Sequence, residues 1–119
     1  MLLLIGGALL LMIALDLGRL AASWREAAAA ADAGSEAGAA RIDPAAAYRG
    51  DLRLDPEAAV RAAEDAAIAF RPRAGRGVTA TAGPHRVCVT VRRRFRPLAP
   101  GLGFAPTIEV TACAVPRRG

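Results

Sequence analysis

Residues 2–15 form an unbroken apolar run, Leu2-Leu-Leu-Ile-Gly-Gly-Ala-Leu-Leu-Leu-Met-Ile-Ala-Leu15. No proline separates it from an alanine-rich stretch that ends at Ala40. Ala and Leu are the strongest helix formers, so both halves read as one helix. At about 1.5 Å per residue this helix is roughly 58 Å long, about twice the ~30 Å hydrocarbon core of a bilayer. In a chain of 119 residues that leaves room for one small domain. The expectation is a helix that starts in a membrane and continues out of it.

Fourteen uncharged residues fall short of the usual span of about 20. Leu17, Leu20, Ala21 and Ala22 lengthen it if Asp16 and Arg19 lie at the interface, where their i, i+3 spacing lets them pair. Leu and Ile hold ten of positions 2–17, together about −5 kcal/mol of insertion free energy against about +3 for a central Asp. Insertion is therefore favoured. A secretory signal peptide is the main rival, but no Arg precedes the run to make a basic n-region. Residues 1–22 are thus read as a transmembrane segment, 23–42 as its continuation outside the membrane, and 43–119 as a small domain.

Leu17, Leu20, Trp24, Ala27, Ala31, Gly34 and Gly38 recur at a 3-4 spacing and form one packing face, tapering from large residues to small. Small residues let another backbone approach closely. That backbone belongs either to the chain's own C-terminal part or to a partner helix.

Asp43-Pro44 and Asp55-Pro56-Glu57 are helix starts, with Asp as N-cap and Pro at the first helical position. The first gives about one turn, Ala45 to Arg49, closed by Gly50. The second runs from Pro56 to about Phe70, with Val60, Ala63, Ala67 and Phe70 inward, and stops before Pro72. Beyond the loop Arg71 to Gly77 the period changes from 3.6 to 2. Val78–Ala82, Val87–Val91 and Ile108–Ala112 alternate and read as three strands. Gly83-Pro84 turns between the first two. An apolar loop, Pro97 to Pro106, joins the last two and rests either on a membrane or partner or over one end of the sheet. The fold class is α+β: a long helix leaving the membrane, a shorter second helix and a three-stranded antiparallel meander.

One register satisfies the last two strands together. Placing Cys88 opposite Cys113 puts Thr90 opposite Thr111 and Arg92 opposite Glu109. On the other face Val87, Val89 and Val91 then meet Ala114, Ala112 and Val110. A slip of one residue would set apolar against polar side chains in every pair. Opposed strand residues bring a Cys88–Cys113 disulfide within reach, and two half-buried thiols are the alternative.

Little here carries catalysis. His85 is the only histidine and sits beside a turn, and no CxxC or carboxylate cluster offers a metal site. Ser23 and Ser35 have no base nearby in sequence. No enzyme activity, metal, cofactor or small-molecule substrate is expected. All sixteen basic residues are arginine, and from Ala66 onward ten of them face one acid, Glu109. In the run Arg92-Arg-Arg-Phe-Arg96, Arg92, Arg94 and Arg96 share one strand face, Arg93 and Phe95 the other. A single aromatic is too little for nucleic-acid stacking, so no nucleic acid is expected. A solvated face is the plain reading, and contact of Arg92, Arg94 and Arg96 with anionic lipid or a cell-wall polymer is the alternative.

The span ending in Leu15-Asp-Leu-Gly-Arg19, the segments Ala22-Ser-Trp-Arg-Glu-Ala-Ala-Ala-Ala-Ala-Asp-Ala-Gly34 and Ala37-Gly-Ala-Ala-Arg-Ile-Asp43, and Leu54-Asp-Pro-Glu-Ala-Ala-Val-Arg-Ala-Ala63 resemble TadE/TadG-like proteins of the Tad (Flp) pilus system, actinobacterial type. The resemblance covers nearly the whole chain in low-complexity motifs. It implies a single-pass protein of the cell membrane with a pilin-like extracytoplasmic domain. Such a protein acts as a minor pseudopilin or assembly component, with other pilus or secretion-system subunits as partners. The alternative is a single-pass envelope protein whose arginine-rich loop binds lipid or polymer. Members usually carry a short cytoplasmic tail before the span, so a start upstream of Met1 is expected. All charges follow the span, which by the positive-inside rule alone would keep the domain in the cytoplasm; that rule weakens for translocated domains.

Overall fold

Two tandem Asp-Pro starts, a glycine stop and a switch of period divide the chain into six elements. The computed structural model describes residues 1–70, 76–98 and 106–117. Helix α1 is Leu2–Ala39, α2 is Pro44–Tyr48 and α3 is Pro56–Ala69; strands β1, β2 and β3 are Arg76–Ala82, Val87–Arg94 and Thr107–Ala114. The Asp43 carboxylate accepts from Ala45 N–H at 3.0 Å and the Asp55 carboxylate from Ala58 N–H at 3.4 Å. Each cap satisfies a donor that the first helical turn leaves without a backbone partner. Gly50 ends α2 with φ of 77°, a conformation costly for a residue with a Cβ.

The connector after α2 is stitched down. Leu54 N–H donates to Pro84 O at 2.8 Å, Ile42 and Leu54 form an isolated bridge, and Leu54 is buried. The strands form an antiparallel meander in the order β1-β2-β3. β2 and β3 pair with Val87 opposite Ala114, Cys88 opposite Cys113, Val89 opposite Ala112, Thr90 opposite Thr111, Val91 opposite Val110 and Arg92 opposite Glu109. This is the register set by the thiol, hydroxyl and charge pairs. Strands β1 and β2 run further toward the arginines than the alternation of apolar residues suggests, and pair Arg76 with Arg93. The expected loops at 71–77 and 97–106 fall largely outside the described residues, as does the end of the basic tail.

Both long helices cover one face of the sheet, α1 over β2 and β3, α3 over β1 and β2, and they pack against each other. Val87, Val89 and Val91 are fully buried beneath them. Ala59, Ala63 and Ala67 line the buried side of α3, with Val60 and Phe70 partly buried at its margins. Facing them on α1 are Ala27, Ala30, Ala31, Gly34 and Gly38. A Cβ on Gly34 would lie 2.7 Å from Ala63 O, and one on Gly38 would lie 3.0 Å from Ala59 O. The two alanine-rich helices therefore approach closely, and the small end of the α1 face is filled from within the chain.

The first half of α1 has no such cover. Leu2 to Leu17 present their large apolar side chains to the outside, most of them more than half exposed, and packing begins only at Leu20. The molecule is accordingly 75 Å long and about 20 Å across, its lesser extents being 22 and 18 Å.

Candidate functional site

The polar interactions that fix the domain on α1 concentrate at two levels along the helix, and the residues singled out by sequence fall at, between or above them. The lower level lies where the bare apolar run ends. Asp16 is 7% exposed although it follows fifteen uncovered residues. Its carboxylate accepts from Leu98 N–H at 2.7 Å, across 82 positions of sequence, and from Arg19 Nη1 at 3.4 Å. Arg19 also donates to Arg96 O at 3.4 Å and lies 5.5 Å over the Phe95 ring. The expected Asp16–Arg19 pair is thus present. Its stronger partner, judged by length, is the backbone that leaves β2, a charge-assisted hydrogen bond of the shorter kind.

Further along α1, beyond Leu20, is the second level. Glu26 Oε1 lies 2.9 Å from Arg76 Nη2, and Glu26 Oε2 lies 3.8 Å from Arg93 Nη1. The Arg76 and Glu26 side chains are only 4% and 12% exposed. Arg76 Nη1 also donates to Ala67 O and Phe70 O, so it satisfies carbonyls at the C-terminal end of α3. This one guanidinium ties α1, α3 and β1 together. Only its Nε lacks a hydrogen-bond partner among the buried side-chain atoms of the described residues.

Sequence reasoning missed this cluster, yet a signal was present. Arg76 alternates with Val78 and Ala80, and Arg93 shares its face with Phe95, so both arginines point to the helix side. Two cations on the covered face of a sheet require a buried anion. Glu26 is the α1 carboxylate placed to supply it.

Between and above these levels lie the other singled-out residues. Of the α1 face, Ala27, Ala31, Gly34 and Gly38 are buried within the chain, Leu20 is half-buried, and Leu17 and Trp24 remain 62% and 52% exposed. Cys88 and Cys113 form a disulfide on the uncovered face of the sheet. Beside it the Thr90 and Thr111 hydroxyls lie 2.9 Å apart, and Arg92 Nε pairs with Glu109 Oε2 at 3.1 Å. The arginine trio therefore divides: Arg92 is engaged on the sheet face, while Arg94 and Arg96 are exposed toward the lower level. His85 is exposed at its turn, and the Ser35 hydroxyl donates to Asp32 O at 3.0 Å. Among the described residues no three His, Cys, Asp or Glu side chains gather as a metal site. A groove of about 580 Å³ opens at the far end of the domain, where Asp32 and Glu36 of α1 face Arg86 and Arg117.

No family model, curated protein or solved structure matches this chain. The arrangement of residues is a membrane-length apolar helix fastened to a compact domain at the point where its apolar surface stops.

Proposed function

We propose that the chain is a single-pass membrane protein that carries a pilin-like domain outside the membrane. We further propose that it acts as a minor pseudopilin or assembly component of a Tad/Flp-type pilus, the role its sequence resemblance implies. One observation carries the reading. α1 runs without a break from Leu2 to Ala39, its first half long and apolar enough to cross a bilayer and its second half the spine of the domain core. A signal sequence meets the same test of length and apolarity. Against that rival, the helix is fastened to the domain at Asp16 and Arg19, within the stretch where a leader would be separated from its passenger.

Association with other subunits would use what the domain leaves uncovered. Gly34 and Gly38 are committed to the chain's own core, so the available part of the α1 face is Leu17 and Trp24 with the bare run before them. The test is recovery of pilus or secretion-system subunits with the tagged full chain from host membranes. Leu17→Ala with Trp24→Ala is expected to lower that recovery while leaving thermal stability unchanged. Equal recovery from wild type and variant, or no such subunits with either, contradicts the proposal.

A further inference from the structure

We propose that the lower end of the domain is a lipid-contact surface, on which Leu98 enters the interfacial region of the bilayer while Arg19 and Arg96 meet lipid phosphates. This rests on the reading of α1 as a membrane span. Wherever such a span begins, its outer end is marked: Leu15 and Leu17 are apolar and exposed, and Arg19 is the first cation. Leu98 N–H reaches Asp16 and Arg96 O reaches Arg19, so residues 96–98 lie within one turn of that end. The domain is therefore held at the headgroup level rather than away from it on the free length of the helix.

The chemistry at this level suits a lipid surface. Leu98 is 52% exposed, although its amide is consumed by Asp16. The Arg19 side chain is 47% exposed and Arg96 is exposed, so both guanidinium groups have donors to spare. The planar arginine fork can donate two hydrogen bonds to the two non-bridging oxygens of a phosphodiester, and its long stem lets the charge reach the headgroups from an apolar surface. Asp16 would be expensive beside hydrocarbon as an uncovered carboxylate. Here the Leu98 amide and Arg19 cover it, so the residue that interrupts the apolar run becomes the pin that seats the domain.

The experiment uses the full chain in phosphatidylcholine vesicles containing phosphatidylglycerol, with nitroxide-labelled lipids as depth-resolved quenchers. Trp24 is the only tryptophan, so a Trp24→Phe background carrying Leu98→Trp reports on position 98 alone. An intact Cys88–Cys113 bridge and the far-ultraviolet spectrum verify the fold. Tryptophan at 98 is expected to shift its emission to the blue and to be quenched more by a shallow acyl label than by a deep one. Arg19→Ala with Arg96→Ala should reduce that quenching. Val115→Trp, at the opposite end of β3, should remain unquenched. In the unmodified chain Trp24, five residues beyond Arg19, should be quenched by a headgroup label and not by acyl labels. A chain that floats with the vesicles but leaves residue 98 unquenched overturns the lipid-contact surface. So does quenching at 98 that is unchanged by loss of both arginines, or acyl-label quenching of Trp24. A chain that does not float overturns the span itself.

Discussion

Glu26 and Gly34 hold the α1 spine in place by opposite means, one by charge and one by the lack of a side chain. Removing one partner of a buried ion pair leaves the other charge uncompensated. Glu26→Ala should therefore destabilise the domain by about 3–5 kcal/mol, because Arg76 is nearly fully buried against it. Chemical denaturation of the full chain in detergent measures this; a loss near zero would mean that Arg76 finds another anion. At Gly34 the obstacle to a side chain is the Ala63 backbone oxygen, which cannot rotate away. Gly34→Ala should cost roughly 1–3 kcal/mol of overpacking, set against the ~1 kcal/mol that alanine gains in a helix. Gly18 in the same helix has open space where a methyl group would sit, with nothing within 4 Å. Gly18→Ala should leave stability unchanged or raise it by up to about 1 kcal/mol. Gly34→Ala should therefore be the more destabilising of the two, and the same denaturation experiment compares them.

Among the elements, the sheet was the part most legible in sequence. Strand period fixes which residues share a face, and the few polar residues of β2 and β3 admit one pairing in which thiols, hydroxyls and charges all find partners. Peptide mapping of envelope-purified protein without reductant should recover Cys88 linked to Cys113. The bridge closes a loop of 25 positions, and the chain-entropy model gives about 3.5 kcal/mol for a loop of that size. Reduction, or Cys88→Ser with Cys113→Ser, should lower stability by about that amount. The exposed Arg92–Glu109 pair beside it should contribute no more than about 1 kcal/mol. The Asp-Pro caps were equally readable, because the N-cap preference is local chemistry. What the helix face packs on was not readable: periodicity identifies a face but not its occupant. Gly34 and Gly38 suit a partner helix as well as α3, and only the alanine row Ala59, Ala63 and Ala67 brought alongside decides it. The Asp16–Leu98 contact was hidden for a related reason. It joins a side chain to a backbone amide, and an amide leaves no mark in sequence.

At the scale of the whole molecule the chain divides into a bare apolar rod and a covered spine within a single helix. An uncovered run of Leu and Ile of this length is what a membrane span or a signal sequence presents. Its exposed length from Leu2 to Leu17 is about 24 Å at 1.5 Å per residue, close to a hydrocarbon core once Asp16 and Arg19 reach the headgroups. The domain should lie outside the cytoplasm, where its disulfide is stable. Protease added to wall-stripped cells should then digest it, whereas full protection would reverse the topology. In the proposed reading the apolar half of α1 stays joined to the domain and holds it in the membrane. The most direct test is mass spectrometry of the protein that remains in host membranes after an alkaline wash. Peptides containing Leu2–Arg19 and peptides of the β2–β3 sheet should be retained together on one uncleaved chain. Recovery of the domain in the soluble fraction, with a new N-terminus beyond Arg19, would contradict it.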